Sequence, residues 1–213
     1  MDATLVRLSE LVNERFAQHV DALGGGAPRH RVEFSKRITT SWALIYYRRH
    51  LVRLSPYLFL LAPEELSRAS HWRELDATLR HEAAHAVRFA AAGDGSHSDE
   101  FHALLERLGV EANGTGDLGP ENAAWRYVYA CPSCQLEWRR RTQLQGNWSC
   151  GVCAPGRYDA AHRMELRSDL ADPWLRVLAA RERIESCLAE AEDSMKSTPP
   201  LVGSRAPLPA RRA

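Results

Sequence analysis

The sequence predicts an α+β fold. Three observations carry that prediction: helical apolar spacing over residues 2–23, an aromatic and β-branched stretch from Arg31 to about Leu61, and Ala-, Leu-, Glu- and Arg-rich segments between Pro63 and Leu108. The chain has 213 residues, of which 45% are hydrophobic and 26% charged. That composition excludes wholesale disorder and suffices for one domain with a small appendage. A formal net charge of +1 excludes a polycation, although charge can still be segregated within the chain. No apolar run approaches the ~18 residues of a membrane span, and Met1 to Thr4 carry no basic start before an apolar core. A cytoplasmic protein without a membrane partner is therefore expected.

The elements follow in order. Leu5, Leu8, Val12, Phe16, Val20 and Leu23 share one helical face, and Gly24, Gly25 and Gly26 end that helix. Val32 and Phe34 alternate; Trp42 to Tyr47 and then Leu51, Val52 and Leu54 complete a small sheet of about three strands. Pro63, Glu64 and Glu65 suit a helix start, and two helices are expected from there to Ala92. Gly93-Asp94-Gly95 breaks the pattern, and Asp99 to Leu108 forms a further helix that stops at Gly109. Residues 111–121 read as a linker, so the first domain spans 1–121. Residues 125–168 form a short segment with paired cysteines. A last helix covers about 172–196, and the Pro- and Arg-rich tail 197–213 is expected to be disordered.

His81-Glu82-Ala83-Ala84-His85 places two histidines four residues apart in a helical region. Four residues turn through roughly 400°, so both imidazoles lie on one face, ~40° apart, and can meet one ion. Glu82 adjoins the first ligand and can act as a base on a water polarised by zinc. A catalytic zinc takes three protein ligands and keeps one open position. His97, just past the glycine break, is the preferred third ligand, with His102 the alternative. His19, His30, His50, His71 and His162 lack such company and read as solvated or hydrogen-bonded side chains. For the oxyanion-stabilising group, Tyr46, Tyr47 and His102 are candidates by residue type alone.

Cys131-Pro132-Ser133-Cys134 and Cys150-Gly151-Val152-Cys153 give C-x-x-C, fifteen residues, C-x-x-C. That spacing signals a four-thiolate zinc site with no open position. Two zinc ions are therefore expected, one catalytic and one structural. Cys187 stands alone and reads as a small semi-buried side chain. The segment 125–168 carries seven arginines against Glu137, Asp159 and Glu165, a net of +4, whereas residues 1–124 total −3. Arg139, Arg140 and Arg141 follow Trp138, with Trp148, Tyr127 and Tyr129 nearby. Arginine suits phosphates and exposed rings stack on bases, so Arg139, Arg140, Arg141, Trp138 and Trp148 are candidate nucleic-acid contacts. A solvated charged hairpin whose aromatics fill the ribbon explains the same pattern.

From about Val32 to about Leu166 the sequence resembles the SprT-like zinc metalloproteases, the group that includes the Spartan-type DNA–protein crosslink proteases. Four features carry the resemblance: the Leu79-Arg80-His81-Glu82-Ala83-Ala84-His85-Ala86 helix; His97-Ser98-Asp99-Glu100-Phe101 followed by Leu105 and Leu108-Gly109, similar to the family's H-G-x-x-F; the strands near Val52-Arg53-Leu54-Ser55; and the closing ribbon. Ser98 stands where the family usually has glycine. The resemblance implies a zincin-like α+β fold with a C-terminal zinc ribbon and a terminal helix. It implies that His81, His85 and His97 hold the catalytic zinc with Glu82 as base, and that Cys131, Cys134, Cys150 and Cys153 hold the second. It further implies protein substrates laid along a sheet edge, and DNA, single-stranded or with unpaired regions, as a partner. Two other functions fit the same residues: a nucleic-acid-binding adaptor with a silent metal-bound domain, and a regulatory protease whose ribbon docks a protein.

Overall fold

A computed structural model describes residues 3–61, 63–66, 68–110, 125, 127–169, 177 and 180–197. Among them are four α-helices and two three-stranded sheets, an α+β arrangement. The expected linker 111–121, positions 172–176, 178 and 179 of the expected last helix, and positions 198–213 of the expected tail lie outside the described residues. No described helix is long and apolar enough to cross a membrane.

Helix α1 (Ala3–Ala22) buries Leu8, Leu11, Val12, Phe16 and Val20, the face its periodicity predicts. Strands β1 (Arg31–Phe34), β2 (Ala43–Tyr46) and β3 (Leu51–Leu54) pair in the order β1-β3-β2. β1 runs parallel to β3, and β2 antiparallel to it. The outer edge of β1 is blocked by α1. The Asn13 amide donates to the Val32 carbonyl at 2.8 Å and accepts from the Val32 N–H at 2.7 Å, doing for Val32 what a neighbouring strand would do. Among the described residues β2 is thus the sheet's free edge, and Leu44 on it is exposed.

Residues 63–92 do not form two helices. Pro63–Glu65 is a single 3-10 turn, and α2 (His71–Ala92) is one uninterrupted helix. The apolar face Trp72, Leu75, Leu79, Ala83 and Val87 continues without a phase break. Ser70 caps its N-terminus, the Ser70 Oγ accepting from the Arg73 N–H. Gly93 ends it at φ 70°, its N–H donating to the Phe89 carbonyl at 2.8 Å. Helix α3 (Asp99–Arg107) follows.

α1 and α2 are joined through buried charge. Asp76 accepts from Arg15 Nε at 2.7 Å, His19 Nε2 at 2.8 Å and Arg80 Nη2 at 2.5 Å. Burial alone would raise the Asp76 pKa, but the His19 and Arg15 hydrogen bonds and the Arg80 charge hold it well below the carboxylate range. Burial lowers the His19 pKa despite Asp76. Both shifts act in one direction: the unfolded chain binds more protons than the folded one. His19 begins to remove stability as pH falls below about 6.5, and Asp76 continues the loss below about 4. Asp76→Ala should cost about 3–5 kcal/mol in urea unfolding at pH 7, because the buried Arg15 loses its counterion in a dry site. It should also flatten the acid limb of stability against pH.

β4 (Tyr127–Ala130), β5 (Glu137–Arg140) and β6 (Glu165–Asp169) form the second sheet, antiparallel in the order β5-β4-β6. Around it Tyr129, Cys131, Cys150 and Met164 make a small apolar cluster distinct from the main core. Helix α4 (Arg181–Ser197) belongs to the main core instead, through Ile184, Cys187, Leu188 and Ala191. It lies against α1 and α2. Arg183 Nη1 donates to the carbonyls of Phe59 at 3.1 Å and Leu61 at 2.9 Å. The Ser70 hydroxyl donates to Glu190, which ties α4 to the start of α2. Cys187 is fully enclosed, and burial pushes its thiol up to about 12, an inert packing group.

Candidate metal centres

The first centre joins α2 to the loop after it. His81 and His85 project from one face of α2, and His97 comes from beyond Gly93. The Nε2 atoms lie 3.1 Å apart for His81–His85, 3.1 Å for His85–His97 and 3.3 Å for His81–His97. Three nitrogens on a tetrahedral zinc, each about 2.0–2.1 Å from it, stand about 3.3–3.4 Å apart. The triangle therefore fits a cation capping all three. Phe101 of α3 forms the floor, with its ring centroid 5.0, 4.3 and 4.7 Å from those of His81, His85 and His97.

That apolar floor also sets the protonation state. Burial lowers the His81 pKa to about 4, helped by His97, and the His85 pKa to about 3, helped by His81. Both rings are neutral at pH 7, the state that can ligate a metal. Glu82 is buried beside them, and desolvation raises its pKa to about 8. A cation nearby acts the opposite way, because it favours the carboxylate. His102, the alternative ligand, is not part of the triangle: its ring stands edge-on to Phe101 at 5.6 Å. Ser98, in place of the glycine, sits at φ −80° as the N-cap residue of α3, so no left-handed angle is demanded of it.

The loop that carries His97 is braced by residues that no local pattern marks. Arg88 of α2 donates to Asp94 at 2.9 Å and approaches Glu100 of α3 at 3.5 Å. Asp94 accepts in turn from the Ser96 N–H at 2.9 Å and its hydroxyl at 2.6 Å. Tyr47, which follows β2, stacks on Phe89. Its hydroxyl pKa is raised by burial and by the charges of Glu82 and Asp94, so the phenol stays neutral near the site. Tyr46 instead lies under the Arg53 guanidinium, 5.3 Å from its ring centroid.

In the second centre Cys131, Cys134, Cys150 and Cys153 converge. Cys131 and Cys153 sulfurs are 3.9 Å apart, Cys134 and Cys150 sulfurs 3.5 Å. A disulfide needs about 2.05 Å; four thiolates about 2.3 Å from zinc stand about 3.8 Å apart. Each C-x-x-C makes the same turn. Gln135 N–H donates to the Cys131 carbonyl at 3.0 Å, and Ala154 N–H to the Cys150 carbonyl at 2.8 Å. The backbone amides of Cys134 and Ser133 favour the Cys131 thiolate and lower its pKa to about 6. Crowding against Cys134 and the other sulfurs pushes Cys153 up to about 12. The last proton is thus held by repulsion that a cation would remove.

The arginine run does not form one strip. Register pairs Trp138 with Tyr129 and Arg140 with Tyr127, so these four share one face of the sheet, while Arg139 falls on the other with Val128. The Arg140 guanidinium lies 5.6 Å from the Trp138 ring centroid and that of Arg141 5.5 Å from the Trp125 centroid. Trp148 is half exposed, its indole N–H donating to the Gln145 carbonyl at 2.7 Å. It borders a cleft of about 640 Å³ with Tyr129, Leu144, Arg163 and Met164.

The SprT-like family model matches residues 7–118. Over 126 residues the chain is 25% identical to the Protein SprT-like of Bacillus cereus, an alignment covering 58% of this chain and 78% of that protein. No solved structure matches it. The family match runs from α1 through α3, just over half of the 213 residues, and takes in the whole histidine triangle and Glu82. On that extent the chain belongs to the SprT-like family.

Proposed function

We propose that this protein is a zinc-dependent endopeptidase with a zincin-like catalytic domain, acting on proteins bound or crosslinked to DNA. The observation that supports this most is the triangle of Nε2 atoms with Glu82 buried alongside. His81, His85 and His97 would hold the catalytic zinc; Cys131, Cys134, Cys150 and Cys153 would hold a structural one. Imidazole and thiolate sets with tetrahedral spacing suit zinc among the common divalent ions. Zinc bound at such a triad lowers the pKa of a water to about 7 and polarises a substrate carbonyl.

The chain's own residues supply the rest. Glu82 takes the proton from the attacking water and passes it to the departing amine nitrogen. Glu82 is itself buried, so it makes that transfer from a largely desolvated position. The free edge of β2 can accept an extended peptide as an added strand, with Asn13 blocking the competing edge on β1. On the ribbon, Trp148 offers its half-exposed ring to unpaired bases, whereas Trp138 packs on the ribbon's own cluster under Arg140; Arg139, Arg140 and Arg141 meet phosphates from both sides of the sheet. This reading places the protein in the cytoplasm, associated with the nucleoid.

The test is cleavage of a DNA-binding protein by the zinc-loaded chain, with and without single-stranded DNA. Faster cleavage with DNA, lost on adding a chelator, supports the proposal. Equal cleavage in both arms removes the DNA dependence, and DNA binding with no cleavage in either arm leaves only an adaptor.

A further inference from the structure

We propose that Tyr47 is a positioning residue for the third histidine: its ring is a shelf between α2 and the 93–97 loop, and Gly95 is glycine so that the loop can rest on it. This rests on the reading of His81, His85 and His97 as one metal site.

Tyr47 leaves the free-edge strand β2 and lies flat on Phe89, with centroids 4.1 Å apart and planes 9° apart. Phe89 is one helical turn beyond His85, and its carbonyl accepts the N–H of Gly93. The ring is therefore fixed to the same stretch of α2 that bears two of the three ligands. Gly95 lies on its rim. A Cβ added there would come 2.1 Å from the Tyr47 hydroxyl oxygen, 2.6 Å from Cζ and 2.9 Å from Cε2. Gly95 is absent from the glycines with positive φ, whereas Gly93 has φ 70°. Gly93 is thus needed for a turn, and Gly95 for an approach.

Two residues later comes His97. The loop's other flank is held by Arg88 through Asp94. Gripped on both sides, the loop has little freedom to vary the 3.1 and 3.3 Å separations from His97 to the α2 histidines. A tetrahedral ion tolerates errors of only about 0.2 Å in its ligand distances, so a shelf that fixes this loop fixes affinity.

The measurement is zinc affinity at the histidine site, by competition with a chelator, in protein whose four-cysteine site stays loaded. The variants are Gly95→Ala, Tyr47→Leu, their combination, and Tyr47→Phe. Losing a supporting contact of a metal ligand costs about 10–100-fold in affinity. Gly95→Ala should fall in that range, with the thermal midpoint of the protein stripped at the histidine site changed little. Tyr47→Leu should lose about tenfold as well. The double variant should lose much less than the product of the two, because the new methyl occupies space vacated by Cζ and the hydroxyl. Tyr47→Phe keeps the stack on Phe89 and removes only the oxygen under Gly95, so the proposal remains testable if Gly95→Ala does not fold; a loss of about threefold or more is expected. Unchanged affinity in Tyr47→Phe and Tyr47→Leu, or losses that simply multiply in the double variant, overturns the shelf. A wild type that binds no metal on the triad overturns both the shelf and the metal site, whereas a wild type that binds it with these variants unaffected overturns the shelf alone.

Discussion

Glu82→Gln should abolish peptide cleavage while both centres keep their metal. Glutamine matches the shape of glutamate, carries no charge into a buried position and cannot accept a proton. The native carboxyl sits where desolvation alone raises its pKa to about 8, so the neutral replacement relieves a cost rather than adding one. Thermal stability should hold or rise. The rate should fall about 10²–10⁴-fold, the usual worth of a positioned acid–base group. Turnover of a protein substrate, read beside metal content by atomic emission, checks this. A variant that retains more than a tenth of the wild-type rate removes Glu82 from the role of base.

Cys150→Ser should unfold the ribbon and leave the rest of the chain standing. Cys150 is wholly buried in a cluster with Tyr129, Cys131 and Met164, too small a core to hold a sheet of this size by itself. Structural zinc contributes on the order of 10 kcal/mol or more to such a unit. Two metal ions per chain should become one, and amide protection should vanish from β4, β5 and β6 while persisting in α1 and α2. His97→Ala should give the converse result: one ion lost, the ribbon's protection intact. Two ions retained in either variant would falsify the assignment of that site.

The local patterns reveal the two candidate ligand clusters well and the long-range architecture poorly. Histidines at i and i+4 on α2, and cysteines two apart in matched pairs, report themselves because their geometry is set within a turn or two of chain. The boundary of α3 is equally local, fixed by Asp99 and Gly109. By contrast, the parallel pairing of β1 with β3 joins strands about twenty residues apart, and no alternation of side chains announces a partner. The continuity of α2 is hidden because Ser70 and Pro63 both look like helix starts, and only the cap distinguishes them. The Asp76 cluster draws its arginines from α1 and from α2 itself, so its burial is invisible until the helices cross. Alternation along β5 splits Arg139 from Arg140, which as a run look like one feature. Tyr47 can be chosen from sequence as a polar ring near the site, but its meeting with Gly95 depends on where the sheet sits over α2.

The destination of α4 has a consequence for anything the ribbon grips. The polypeptide departs from one folded body after Val110, builds the thiolate knuckle, and then comes home to that same body at Ile184 and Leu188. Moored fore and aft, the knuckle cannot be carried off by a single break in either strand of its tether, since the final helix still clings to the hull. On the proposed reading, a protein held there would meet the histidines at a local concentration set by this attachment rather than by its own abundance.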